Sequence, residues 1–170
     1  YKIDPNRIVV GGHSAGGYIA AALSLVDRER KEIGISGQII DYAPLKQSLS
    51  EEDRKALDPS KAMSPSRIAQ YINWYFEDLN DLDHPLASPL LADLSNLPRM
   101  LILSAEYDSL LKEEKDFADK AKAQGNNVKF EIFKECQHGF THKWFKEYNE
   151  KESERAWKMM ADFLKEIFYK

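Results

Sequence analysis

The residues with the clearest chemical meaning are Gly12-His13-Ser14-Ala15-Gly16. An apolar run, Ile8-Val9-Val10-Gly11, precedes them, and an alanine-rich apolar stretch, Tyr18 to Val26, follows. Strand, tight turn and helix with a serine on the turn is the layout of a nucleophile elbow, which holds the hydroxyl above a strand end. Glycines at 12 and 16 are expected where a Cβ would crowd the neighbouring strand and helix. The helix N-terminus behind the serine would aim N–H groups and partial positive charge at the site. The Ala15 N–H is the expected oxyanion donor. The same five residues also suit a plain glycine-rich turn with a solvated serine.

A serine nucleophile needs a base, and the base needs a carboxylate to fix its tautomer and stabilise the imidazolium. The chain has four histidines. His13 lies on the elbow, so its side chain is expected to point elsewhere. His84, before Pro85, reads as a surface loop residue. His142, one helical turn beyond His138, is expected to be exposed. His138 follows an alternating apolar run and precedes Gly139, which lets its loop approach the serine; it is the expected base. Asp108 directly follows another apolar run and is the expected carboxylate, with capping of the next helix as its other role. Ser, Asp, His in chain order is one of the orders in which such triads occur. His138 and His142 also stand at i and i+4, a spacing that suits two metal ligands on one helical face. Gly139 argues against a helix there, and no carboxylate pattern completes a metal site.

The elements that must position these groups are legible as four strands: Ile8 to Gly12, Gly37 to Pro44, Arg99 to Ala105 and Val128 to Phe133. The helix after Ser14 carries Ile19, Ala22, Leu23 and Val26 at i, i+3, i+4 and i+7, and its other face is small and apolar, so it should be largely buried. A second helix is expected from about Leu110 to Ala123, stopped by Gly125-Asn126-Asn127. The last runs from about Ser153 to Phe168, with Ala156, Met160, Phe163, Leu164 and Ile167 inward. Between the second and third strands lies an insertion, about 45–85. Ser50-Glu51-Glu52-Asp53 predicts a helix start, Asp58-Pro59-Ser60 a break, and Ser64-Pro65 a further helix through Phe76. Its Tyr71, Trp74, Tyr75 and Phe76 read either as core packing or as a lid over an apolar acyl pocket. This order predicts a single α/β domain over 1–170 with about four parallel strands, flanking helices and a helical insertion. Functional groups of such sheets sit beyond the C-terminal strand ends, where Ser14, Asp108 and His138 all fall.

Bulk properties narrow the function classes. A chain of 170 residues is long enough for one domain with a real core. With 43% hydrophobic and 31% charged residues, it has a soluble globular composition. The net charge of −4 is interspersed, and no basic stripe marks a nucleic-acid binder. No apolar run reaches the length of a membrane span, and no signal-peptide pattern is present. Cys136 is the only cysteine, which excludes an intrachain disulfide and fits a reducing, cytoplasmic compartment.

Taken together, Gly12-His13-Ser14-Ala15-Gly16-Gly17, Ser88-Pro89-Leu90, Leu103-Ser104-Ala105-Glu106-Tyr107-Asp108 and His138-Gly139-Phe140 resemble the hormone-sensitive-lipase-like esterases, the α/β-hydrolase fold-3 group. The resemblance spans nearly the whole chain. It implies an α/β-hydrolase fold and a carboxylic-ester hydrolase acting on a small-molecule ester, with Ser14 as nucleophile, Asp108 as acid, His138 as base, and no metal or organic cofactor. Members of this group carry a His-Gly-Gly oxyanion loop upstream of the elbow, and nothing in the thirteen residues before Ser14 matches it. The chain therefore resembles the C-terminal part of such an enzyme, an apparently truncated fold that keeps the Ala15 N–H but lacks that loop's donors. Losing one oxyanion donor costs about 10²–10³ in rate, so an inactive or weak fragment serving as a structural or interaction domain is the alternative. The group often has an arginine-acid-acid run after the triad acid, where this chain has Leu111-Lys112-Glu113. Ile8 to Gly12 becomes an unprotected apolar edge, and Ile19, Leu23, Met160 and Phe163 are expected to be partly exposed. A homo-oligomer, or a missing N-terminal segment, is expected to cover this surface.

Overall fold

The four apolar runs pair into one parallel sheet. In the computed structural model, which describes residues 3–50 and 52–169, the strands are β1 (Ile8–His13), β2 (Ile35–Asp41), β3 (Arg99–Ala105) and β4 (Val128–Phe133), side by side in that order. Gly12 stands opposite Ile40, Ile40 opposite Ile102, and Ile102 opposite Phe130. Apolar side chains occupy both faces of β2 and β3 because both faces are covered. Ile40, Met100 and Ile102 pack under α1 (Ala15–Arg30) and α3 (Leu111–Ala123). Ile39, Leu101 and Leu103 pack under α4 (Glu150–Phe168). Among the described residues β1 pairs only with β2, so it is an edge strand, as its sequence led us to expect.

Two helix faces differ from expectation. On α1 Ile19, at 52% exposure, and Leu23 are partly exposed, as expected, but the Ile19–Val26 stripe is not the inward face: the buried side is Gly17, Tyr18, Ala20, Ala21, Ser24 and Leu25. An all-round apolar helix has no clear stripe, and the sheet takes the side with the smallest residues because it allows the closest approach. Met160 and Phe163 are not left partly open: they are buried under β2 and β3 in the second half of the core, at 6% and 2% exposure.

The insertion contains one regular helix, α2 (Pro65–Tyr75), started by Pro65 and capped by Ser64, whose Oγ accepts the Arg67 N–H. Only Ile68 of α2 is buried. The helix expected from Ser50 is reduced to turns at residues 52–54; Glu51, part of that expectation, lies outside the described residues. In that turn the Arg54 N–H still donates to the Ser50 carbonyl, at 3.2 Å, and its side chain turns inward. Its guanidinium donates to Glu113 Oε1 at 2.6 Å and to the Lys46 carbonyl at 2.6 Å. Glu113 Oε2 accepts the N–H groups of Leu45 and Lys46. This buried pair anchors the root of the insertion to α3. Burial pushes the Glu113 carboxyl up to about 7, even with Arg54 beside it. No helix among the described residues is long and apolar enough to cross a membrane.

Candidate active site

The elbow is a strained turn with identifiable supports. Ser14 follows β1 with φ 53° and precedes the first residue of α1. A positive φ on a non-glycine residue costs about 1–3 kcal/mol, so the surroundings must over-determine it. The Ser14 N–H donates to the Asp41 carbonyl at 2.8 Å, and the Ser14 carbonyl accepts from Gly17 at 3.0 Å and Tyr18 at 3.2 Å. A Cβ on Gly12 would overlap the Gly16 backbone, and one on Gly17 would lie 2.8 Å from Ala43 Cβ. A Cβ on Gly16 would meet open space. The second obligatory glycine of the elbow is thus Gly17, not Gly16, because that residue faces β2. Ala15 is exposed and opens α1, so its N–H has no partner within the helix.

The three residues singled out in the sequence meet beyond the strand ends. His138 Nε2 lies 2.9 Å from Ser14 Oγ, and His138 Nδ1 lies 2.6 Å from Asp108 Oδ2. Asp108 is 2% exposed, and its Oδ1 also accepts the Leu110 N–H at 3.1 Å. The N-cap of α3 is Leu110 itself, so Asp108 braces the helix start from two residues before it. With Nδ1–H donated to Asp108, Nε2 is left to accept the serine proton. Burial pulls the His138 pKa down, but Asp108 first, then Asp41 and Glu147, hold it above the ordinary histidine value. The His138 loop is held by buried Phe140 and by the Tyr107 N–H donating to the Cys136 carbonyl at 2.9 Å. Gly139 turns it with φ 88°. Burial pushes the Cys136 thiol up to about 12, which leaves it inert.

A cavity of about 910 Å³ opens beside Ser14 and His138. One wall is α2, through Ile68, Tyr71, Trp74 and Tyr75, and another is Trp144 and Phe145 of the His138 loop. Trp74 is 72% exposed, so the aromatic stripe is a cavity wall and not core.

Two histidines are not where the sequence suggested. His13 lines the same cavity, and its Nδ1 lies 2.5 Å from Asp41 Oδ2. His142 is half-buried, with Nδ1 2.9 Å from the Tyr42 hydroxyl. His84 is exposed, as expected, and its Nδ1 accepts the Leu86 N–H. His138 sits on a turn and His142 in irregular chain, not on one helical face, and they bond to different partners. Among the described residues no three His, Cys, Asp or Glu side chains converge as metal ligands. Asp41, Tyr42 and Thr141 were missed in the sequence. The available signal was Asp41, a single acid closing an otherwise apolar strand, since a buried acid must find a partner.

Residues 1–142 match a family model described as alpha/beta hydrolase fold. The chain belongs to the α/β-hydrolase fold-3 family. Within that family it is 32% identical over 125 residues to an arylesterase of Saccharolobus solfataricus, covering 72% of this chain and 40% of the relative. It is 30% identical over 148 residues to an esterase of Acinetobacter venetianus, covering 85% and 49%. Among solved structures it is similar to a hyperthermophilic esterase from the archaeon Pyrobaculum calidifontis, with TM-score 0.85 and 29% identity over 96% of this chain and 54% of that one. It is also similar to EstE1, a thermostable carboxylesterase cloned from a metagenomic library, with TM-score 0.83 and 30% identity over 97% and 56%. This α/β-hydrolase chain spans about half the length of the curated relatives it matches.

Proposed function

We propose that the chain carries the acyl-transfer centre of a carboxylic-ester hydrolase. The observation that supports this best is the pair of hydrogen bonds made by His138, one to Ser14 Oγ and one to Asp108 Oδ2. The names of the relatives, arylesterase and esterase, point to the same reaction class.

In this reading Ser14 Oγ attacks the ester carbonyl carbon while its proton passes to His138 Nε2. The carbonyl oxygen becomes an oxyanion that the Ala15 N–H stabilises. Collapse breaks the bond to the alcohol oxygen, and His138 returns the proton to that leaving group. Water then attacks the acyl-serine carbon, gives its proton to His138, and the acid leaves as the proton returns to Ser14 Oγ. Asp108 stays ionised throughout and steadies the imidazolium. The insertion, about 45–85, acts as the cap, and its aromatic wall accommodates a short to medium apolar acyl group. Among the described residues the outer edge of β1 is unpaired, and it is the surface where a second copy, or a segment N-terminal to this one, would extend the sheet.

The test is turnover of a nitrophenyl butyrate ester, with a fluorophosphonate label located by mass. Wild type is expected to turn over and to carry the label on Ser14, and Ser14→Ala to do neither. Equal hydrolysis by the two proteins would overturn the assignment.

A further inference from the structure

Beside Ser14, His138 and Asp108 runs a second buried polar chain that the mechanism above does not use. It begins at Asp41, at the end of β2. The Asp41 carbonyl holds the Ser14 N–H at 2.8 Å, and its Oδ2 accepts from His13 Nδ1 at 2.5 Å. One residue thus grips the elbow at two adjacent positions. The chain continues through Tyr42, whose hydroxyl lies 2.5 Å from Thr141 Oγ1 and 2.9 Å from His142 Nδ1. Thr141 Oγ1 in turn lies 2.9 Å from His142 Nδ1 and 3.4 Å from Asp41 Oδ2. Asp41, Tyr42 and Thr141 are all buried.

We propose that this chain is a brace that ties the elbow to the His138 loop, with Tyr42 and Thr141 as positioning residues for His138. The inference rests on the Ser14 reading above. The Tyr42 ring packs edge-on against the His138 imidazole, with centroids 4.9 Å apart at 63°. It also packs against Phe140, two residues further along the same loop, and against the His13 ring. A displaced Tyr42 therefore displaces His138. Tyr42 also holds a backbone φ of 36°, a strain that persists only where the surroundings fix it. The Thr141 carbonyl accepts from Ser153 Oγ at 3.0 Å and from Trp157 Nε1 at 3.3 Å, which carries the brace on to α4.

In the brace as proposed, His13 Nδ1–H donates to Asp41, Tyr42 O–H to His142 Nδ1, and Thr141 O–H to the Tyr42 oxygen at 2.5 Å rather than to Asp41 Oδ2 at 3.4 Å. His142 then keeps its own proton on Nε2. Burial, then the neighbouring His13, lowers the His142 pKa, which favours the neutral ring that this pattern needs.

The test uses Tyr42→Phe, Thr141→Val and the conservative Thr141→Ser, with melting curves to confirm folding. Fluorophosphonate labelling of Ser14 at saturating probe is expected to slow about tenfold or more in the first two, with the half-saturating concentration unchanged. Thr141→Ser is expected to restore most of the rate. Long-range proton–nitrogen NMR of the imidazoles is expected to show wild-type His13 protonated on Nδ1 and His142 on Nε2, and shifted His138 resonances in Thr141→Val. Wild-type labelling rates in both Tyr42→Phe and Thr141→Val, or the opposite tautomers, would overturn the brace. If wild type labels no better than Ser14→Ala, the nucleophile reading fails by itself. The brace then stands or falls on the NMR: His138 resonances unmoved in Thr141→Val overturn it. Should Thr141→Val fail to fold, Tyr42→Phe carries both measurements.

Discussion

Replacing Asp108 by asparagine changes one oxygen for an NH2 group in a site that dictates which end faces where. Oδ1 accepts the Leu110 N–H at 3.1 Å, so the amide oxygen of the new side chain must stay there. Turning the amide round would set an NH2 group against a buried N–H. The NH2 end is then left 2.6 Å from His138 Nδ1, where the carboxylate oxygen had been. Two N–H groups cannot both donate, so the imidazole accepts at Nδ1 and carries its proton on Nε2. That tautomer cannot take the proton of Ser14. The shape of the site and its packing stay the same. The expected result is a loss in kcat of about 10⁴, or about 5 kcal/mol on the barrier, with KM and Tm close to wild type. Initial rates with nitrophenyl butyrate at mildly alkaline pH measure the first, and thermal melting measures the last. A variant that keeps its Tm and retains more than about a tenth of wild-type kcat would refute the tautomer argument.

Two further outcomes follow from charge. Activity should rise with pH as His138 loses its proton. Although burial opposes it, the pull of Asp108 places the midpoint above the ordinary 6.5; an activity profile with its acid limb centred below that value would contradict the assignment. The raised pKa also means that the imidazolium contributes stability at acid pH that is lost as pH rises through the folded value. Arg54→Ala should leave Glu113 buried without its cation and lower stability by about 3 kcal/mol. Because Glu113 is pushed up to about 7, its protonated form softens that loss in acid and the loss grows as pH rises through 7; an unchanged Tm in denaturation at both pH extremes would show that the pair does not anchor the insertion.

The strands were legible where pattern and burial coincide. Arg99–Ala105 and Val128–Phe133 came out with the bounds seen in the structure, because an uninterrupted apolar run and a clean alternation leave little choice. The positions of Ser14, Asp108 and His138 followed from those strand ends. The inward face of α1 was not legible, since Ile19, Leu23 and Val26 outweigh Ala20 and Ala21 in hydrophobicity while close approach to the sheet selects the smaller residues. The partnership of Asp41 with His13, and of Tyr42 with Thr141 and His142, spans separations that no local spacing encodes. The Ser50 start signal yields only one turn, with the Asp53 N–H on Ser50 Oγ and the Arg54 N–H on the Ser50 carbonyl, and the Arg54–Glu113 bond is a tertiary contact that no local spacing encodes.

Ser14 hangs from the edge of its sheet, whereas Asp108 follows β3, which is paired on both sides. Backbone amides on an edge strand exchange with solvent through small local openings, while those of interior strands wait for larger ones. The two ends of the hydrogen-bonded array therefore belong to units of unequal cooperativity. β4, which leads into the His138 loop, is the other edge strand, so fraying at either edge would part Ser14 from His138 while β2 and β3 stay paired. Warming is thus expected to part Ser14 from His138 before the core melts, and a phosphonate held on Ser14 should be felt first as slower amide exchange along Ile8–His13, a result that hydrogen exchange can check.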